Sequence, residues 1–360
     1  MTRRAYGLAV ALAVLMGGLS VAAAWVLDLP LRDPDGTFGP SWVRLPLIVL
    51  GCFLADVLPR GIYRARGVRG MWPHARAVFH ERWTRARVSL IVVGLGSFYL
   101  TYVGYRNLKG FLPWIREHTY DGALGQMDQV LAFGFEPATL LQGLFGTGIS
   151  AHVLSFFYVG YLVFVPVSLA AWLVWSRNIA GGLWYTTALC ANWTLGLASY
   201  YLLPSWGPAF FEPSLFWGLP DTAVRDLQAS LWGHRYEAIT NPDATEAISS
   251  IAGFASLHVS VVFTAALITH MTVRNQWARW AMWAYLPITV VATLYFGWHY
   301  IADDIAGLAI GWAAVWMGAR VTGHEMSTKY RGVIFGQGEA EDLPYTGTAG
   351  NRELESLTPR

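Results

Sequence analysis

The sequence predicts an all-α fold, a polytopic membrane helical bundle, and three observations carry that prediction. Charged residues make up 13% of the 360-residue chain while hydrophobic residues reach 54%, against roughly 25% charge in a typical soluble domain. The 18 Trp, 17 Tyr and 18 Phe add more apolar surface than one water-facing globule can bury. Third, the apolar residues fall into eight runs of about the length that crosses a bilayer, roughly 17–25 residues each. This composition excludes disordered and fibrous chains. A net charge of +2 argues against a nucleic-acid partner.

In chain order the predicted spans are Tyr6–Leu27, Trp42–Leu58, Val88–Tyr105, Val153–Trp175, Gly181–Leu203, Leu257–Val273, Trp280–Phe296 and Asp304–Val321. The first follows Arg3 and Arg4 and could pass for a secretory signal, but its apolar run is long for one, so it reads as a retained anchor. The second is short and carries Asp56. Between the second and third lies a segment with eight arginines: Arg60, Arg64, Arg66, Arg69, Arg76, Arg82, Arg85 and Arg87. Basic loops stay in the cytoplasm, and alternation from this one places eighteen of the 25 Lys and Arg residues inside and seven outside. Both termini then lie in the cytoplasm of a multi-pass protein of the cell membrane. Two long loops, Arg106 to His152 and Pro204 to Ala255, fall on the outer side. Residues 1–87 read as an N-terminal transmembrane pair with its arginine-rich loop, 88–322 as the core, and 323–360 as a disordered cytoplasmic tail. Cys52 and Cys190 sit in apolar runs and build no disulfide or zinc framework.

Ionisable side chains at membrane depth are costly and point to function. Two segments stand out. Gly253-Phe254-Ala255-Ser256-Leu257-His258 marks the passage from an outer loop into a helix, and Trp298-His299-Tyr300-Ile301-Ala302-Asp303-Asp304 marks a later outer turn. The topology brings His258, His299 and Asp303 to one membrane surface. His299 and Asp303 are four apart, on one face of a helical turn, so Asp303 can hold the Nδ1 proton and leave Nε2 outward. An imidazole so held is a nucleophile or a general base. Ser256 and His258 open a helix whose first N–H groups favour an anion. A phosphate beside His299 could be attacked there while His258 protonates the leaving oxygen. Rival readings stay open at this point: structural histidines, a zinc site made by the two His and one or two Asp, and a serine nucleophile at Ser256, which more plainly caps its helix. Asp56, His152 and His270 could serve a transporter's proton path, but they are scattered and show no inverted repeat of helix breaks. A scaffold with a degenerate site is a further alternative.

These segments resemble the type-2 phosphatidic acid phosphatase superfamily, whose second and third motifs are PSGH and SRxxxxxHxxxD. Here they stand as Ala255-Ser256-Leu257-His258 and His299-Tyr300-Ile301-Ala302-Asp303. The forms look more like the branch holding inositol phosphorylceramide synthase and sphingomyelin synthase, as does the stretch from Tyr120-Asp121 to Asp128 and Phe133-Gly134. The resemblance spans roughly Val88 to Val321 and implies a six-helix phosphatase-like core behind two N-terminal helices. It implies a phosphohistidine at His299, oriented by Asp303, with His258 as general acid; Ser256, read from its position, caps its helix or donates to phosphate. The resemblance also implies chemistry without metal or other cofactor, a phospholipid donor, and a lipid or polyol acceptor of an inositol phosphate-like headgroup, or water in a phosphatase. The first family motif, KxxxxxxRP, appears as Lys109 and Arg116 followed by Glu117 instead of Pro, which makes those two candidate phosphate ligands. The Ser-Arg start of the third motif is missing, with Ala292-Thr293 in its region. Asp128 reads as structural or substrate-facing. The loop from Ser205 to Glu212 reads as a cover for the site or a selector of the acceptor. Tyr295, Trp298 and Tyr300 read as anchors at the lipid interface, and Asp304 as a weaker alternative to Asp303.

Overall fold

The computed structural model describes residues 6–34, 41–243, 248, 251–324 and 326. Among these the chain forms helices and no strand. The expected disordered tail falls outside the described residues except at 323, 324 and 326.

Helix α1 (Gly7–Leu27) buries Ala9, Ala13 and Met16 against α4 (Arg85–Ile115). Between them lie α2 (Ser41–Ala65) and the short α3 (Met71–Arg82). After α4 comes a hairpin of two short helices, α5 (Asp121–Leu131) and α6 (Pro137–Phe145). Helix α7 (Ile149–Ala170) ends in a π-turn at Ala171–Trp175. Helix α8 (Ile179–Leu202) is buried along nearly its whole length and packs on α1, α4, α11 (Leu257–Thr272) and α13 (Ile301–Thr322). Helices α9 (Pro208–Phe211) and α10 (Ala223–Thr240) belong to the long segment between α8 and α11, and α12 (Gln276–Tyr295) precedes α13.

All eight predicted spans are helices. Five of the helical stretches, Gly7–Leu27, Leu45–Ala65, Arg85–Ile115, Ile149–Trp175 and Ile301–Thr322, are long and apolar enough to cross a membrane on their own, and Leu257–Thr272 is a shorter apolar one. Helix α8 falls short on apolarity because it faces protein instead of lipid: Thr186, Thr187 and Asn192 are all fully buried. Such interiors are held by polar contacts between helices. Asn192 donates to Thr264 Oγ1 at 2.9 Å and accepts from Ser260 Oγ, while Trp184 Nε1 donates to the Val315 carbonyl at 2.9 Å. Gly307 and Gly311, one turn apart on α13, let α11 approach closely. A Cβ at either would meet the Ser256 or Ser260 carbonyl at 2.4 or 2.7 Å.

Side-chain caps start the helices where the sequence supplies them: Thr84 for α4, Asn178 for α8, Thr222 for α10, Ser256 for α11 and Asn275 for α12. One boundary differs from expectation. Arg106 and Lys109 were placed in an outer loop, but α4 continues to Ile115, because Tyr105, Leu108, Phe111 and Leu112 keep an apolar face in step with the helix and packed in the core. From Arg87 to Lys109 the helix rises about 33 Å, the thickness of a bilayer's hydrocarbon layer.

At the Arg87 end a charged cluster closes the bundle. Asp56 is fully buried and accepts from Arg60, from Arg82 Nε and Nη2 (both 3.1 Å) and from Trp83 Nε1 at 3.0 Å. The arginines reach on to carbonyls released by the π-turn. Arg60 and Arg82 donate to Trp175 O, and Arg87 to Val174 O and Ser176 O.

Candidate active site

The Lys109 end of α4 holds the other polar cluster. Tyr300 is the N-cap residue of α13, so His299 leaves the loop just ahead of it and Asp303 sits in its first turn. His299 Nδ1 lies 3.3 Å from Asp303 Oδ2, and the same oxygen accepts the Tyr300 N–H at 3.0 Å. Asp303 is thereby fixed by a backbone donor while it orients the ring from the Nδ1 side, and the Gly253 backbone also hydrogen-bonds the imidazole. His258, in the first turn of α11, stands with its ring centroid 5.7 Å from that of His299. That is too far for the rings to bond each other and close enough for both to reach one phosphoryl group. Aromatic walls hold His258: Tyr158 stacks on it at 4.6 Å, Tyr161 lies at 4.4 Å, and Trp298 backs Tyr158 at 5.2 Å. Burial, then the neighbouring Lys109 ammonium, pushes the His299 imidazole down to about 3, so it is neutral at physiological pH and keeps its lone pair.

Lys109 is brought to the site by the helical extension of α4. Its ammonium lies over the Tyr200 ring at 4.9 Å and within electrostatic reach of both histidines. Arg116, seven residues on, caps the end of α4 with an exposed side chain; about 10 Å of helix separates it from Lys109. Ser256 is buried, and its Oγ accepts from Val259 N at 3.4 Å, the capping role. Its own N–H donates to the Asp303 carbonyl at 2.9 Å, which ties the two histidine segments together.

Asp304 turns away from His299 and accepts from Thr293 Oγ1 at 3.0 Å. The residue standing where the family motif has Ser-Arg thus anchors α12 to α13. Asp128 accepts the Ile301 N–H at 2.8 Å. Burial pushes its carboxyl up to about 7, against the pull of that N–H. Tyr295, Trp298 and Tyr300 are buried instead of anchoring at the lipid interface; Tyr295 OH donates to the Gly146 carbonyl at 2.8 Å, Tyr300 OH bonds Asp121, and the Trp298 ring stacks on Tyr158. Asp56 is consumed by the arginine cluster, His152 is exposed, and His270 accepts from Trp283 Nε1 at 3.3 Å. They form no path together.

Sequence reasoning missed Asp121. This buried carboxylate accepts Trp206 N (2.9 Å), Gly207 N (2.9 Å) and Tyr300 OH (3.1 Å). It pins the loop after α8 to the turn that carries His299. Burial and this carboxylate keep the Tyr300 phenol protonated. Ser205 extends the same wall, accepting Phe254 N at 2.9 Å while its carbonyl takes Gly253 N at 2.8 Å. The 205–207 stretch is therefore built into the site. Gly207, at φ +91°, could not carry a side chain, because a Cβ would meet the Trp298 carbonyl at 2.4 Å. The available signal for Asp121 was the Tyr120-Asp121 stretch noted for its resemblance to the synthase branch, in which it was given no role. Among the described residues, no group of three or more His, Cys, Asp or Glu side chains is set to share a metal ion.

A multi-pass membrane bundle with paired histidines and an orienting aspartate at one end defines the class. The family model described as the PAP2 superfamily matches residues 122–317, and the chain belongs to that superfamily. A curated relative, the lipid A 4'-phosphatase of Porphyromonas gingivalis, is 27% identical over 84 residues, covering 21% of this chain and 36% of the relative. The match thus spans about a third of that relative's length. No solved structure matches.

Proposed function

We propose that the protein is a membrane enzyme acting on lipid phosphoesters through a phosphohistidine at His299, and that it transfers a phospho-headgroup to an alcohol. The single observation that carries the reading is the facing pair His299–His258 with Asp303 behind His299. His299 Nε2 attacks phosphorus, and the bond to the leaving oxygen breaks as His258 gives that oxygen its proton. An acceptor oxygen then attacks the phosphohistidine while His258 takes the acceptor's proton, which restores both rings. Lys109 offers positive charge to the phosphoryl oxygens as charge develops, Arg116 serves at the rim, and Ser256 holds the helix whose N-terminus faces the anion. Superfamily membership and the lipid A 4'-phosphatase relative support action on a lipid phosphoester. The Ser-Leu-His and His-Tyr-x-x-Asp forms favour an alcohol acceptor, with an inositol phosphate-like group as cargo. The arginine distribution favours the extracytoplasmic face for the site and the cytoplasm for both termini. No metal or cofactor enters this scheme.

Hydrolysis is the second reading, favoured by the phosphatase name of the relative. One assay separates the two. Purified protein is incubated with phosphate-labelled phospholipids, with and without a lipid alcohol or polyol. A new labelled phosphoester is expected. Free phosphate alone would establish the phosphatase, and no turnover of any phosphoester would sink both. An alkaline quench should trap label on the wild-type protein and none on His299→Ala.

A further inference from the structure

The α5–α6 hairpin has a surface that the catalytic scheme does not use. Helix α5 shows three faces at 3.6 residues per turn. Asp121, Leu124 and Asp128 are buried against the site, Gln126 and Gln129 form a polar face, and Met127, Val130 and Leu131 form an exposed apolar one. The turn that follows holds Phe133 at φ +57°, 92% exposed, and Phe135, 60% exposed. Further along the chain Leu144 and Ile149 are 72% and 83% exposed, and Ile149 shares one face of α7 with the exposed Val153 and Phe156, at i, i+4 and i+7. Helix α7 is one of the helices long and apolar enough to cross the membrane. From residue 122 to 152 the ionisable side chains are Asp128, Glu136 and His152, with no Lys or Arg. Helices of 11 and 9 residues are too short to span.

We propose that this hairpin is seated in the outer-leaflet interface of the bilayer, with acyl chains covering Met127, Val130, Phe133, Phe135, Leu144 and Ile149. The exposed apolar face of α7, a helix long and apolar enough to cross the membrane, begins at Ile149 in this same run of chain, and that assigns the occupant. A three-faced helix with one face on protein, one on water and one on lipid is the form an interfacial element takes. The seat is coupled to the site, because the protein-facing side of α5 carries Asp121 on Trp206, Gly207 and Tyr300, and Asp128 on Ile301. The hairpin therefore holds the His299 turn at headgroup level, where a bilayer phosphoester presents its phosphorus.

The test reads lipid contact first, without any need for turnover. Full-length protein bearing Cys52→Ser and Phe133→Cys is labelled with an environment-sensitive fluorophore and reconstituted in phosphatidylcholine–phosphatidylglycerol vesicles. Ser230→Cys, on the exposed side of α10, is the reference. Quencher-bearing lipids are expected to quench the Phe133 probe at least about twofold more than the reference, and aqueous iodide less. Quenching by iodide with none from lipid would overturn the proposal. So would self-quenching between labelled copies without lipid quenching, which assigns the face to a second copy. A second readout rests on the proposed enzymatic reading. Val130→Asp with Phe133→Asp should lower turnover of a vesicle-borne phosphoester about tenfold relative to a soluble short-chain one. An unchanged ratio breaks the coupling, whereas failure of the wild type on every substrate breaks the enzymatic reading and leaves the quenching result standing.

Discussion

The two ends of α4 each bury a carboxylate among nitrogen donors, and they are built to opposite purposes. At the Arg87 end, Asp56 takes two arginines and an indole N–H, and those arginines spend further N–H groups on the π-turn carbonyls. At the Lys109 end, Asp303 Oδ1 is buried without a hydrogen-bond partner among the described residues, and its other oxygen orients an imidazole. Buried polar groups are normally satisfied, so an orphan calls for an explanation. At the Arg87 end Arg87 Nε is also an orphan among the described residues, but it lies outside the Asp56 network; the closed network on Asp56 itself fastens helices together. An open one keeps bonding capacity for something that arrives.

The largest effect should come from Asp303→Asn. It is expected to cut kcat about 10²- to 10⁴-fold, as loss of an orienting carboxylate does, with little change in melting temperature. Asp56→Ala should do the reverse. Removing one partner of a buried ion-pair network costs about 3–5 kcal/mol, so the melting temperature falls while kcat per folded molecule is kept. If Asp56→Ala abolished turnover in protein that melts normally, the contrast between the two ends would fail.

A smaller loss is expected from Asp121→Asn, about 10- to 100-fold in kcat, because it loosens the His299 turn without touching phosphate. A rise confined to KM would instead place Asp121 at the substrate. Lys109→Met sharpens the electrostatic side. The His299 pKa near 3 has burial as its first cause and Lys109 as its second. Removing the ammonium should therefore shift the acid limb of kcat/KM upward by a fraction of a unit, along with weaker phosphate binding. An acid limb that stays put would detach Lys109 from the histidines.

The last effect is on the pH dependence of stability. A histidine depressed from 6.5 to about 3 on folding binds its proton in the unfolded chain before the folded one. Stability is then undiminished above about pH 6.5 and is lost as pH falls toward 3. His299→Ala should flatten that part of the melting profile. An equally steep acid slope in the variant would assign the loss to other groups.

How much of this was legible in the sequence differs by residue. The eight helices could be read because apolar run length is a local property. His299 and Asp303 could be paired because four residues make a helical turn. Lys109 was noticed from its spacing to Arg116, yet it was placed in a loop, because the span was ended at Tyr105 before the apolar face that carries α4 on to Ile115. Tyr300 looked like an interfacial anchor because aromatic type and position near a helix end do not reveal burial. Asp121 was invisible as a site residue, since its partners lie 85, 86 and 179 residues away.

The sequence by itself determined a lipid-embedded helical bundle, the arginine asymmetry and a His-x-x-x-Asp turn, since hydrophobicity, charge and helical period act over a few residues. The tertiary structure alone decided which polar cluster is closed and which is open. It set Lys109 against the histidines, gave Ser256 to a helix cap and hung the His299 turn on Asp121. Those outcomes depend on which distant segments meet, and packing among helices fixes that, not the chain's local chemistry.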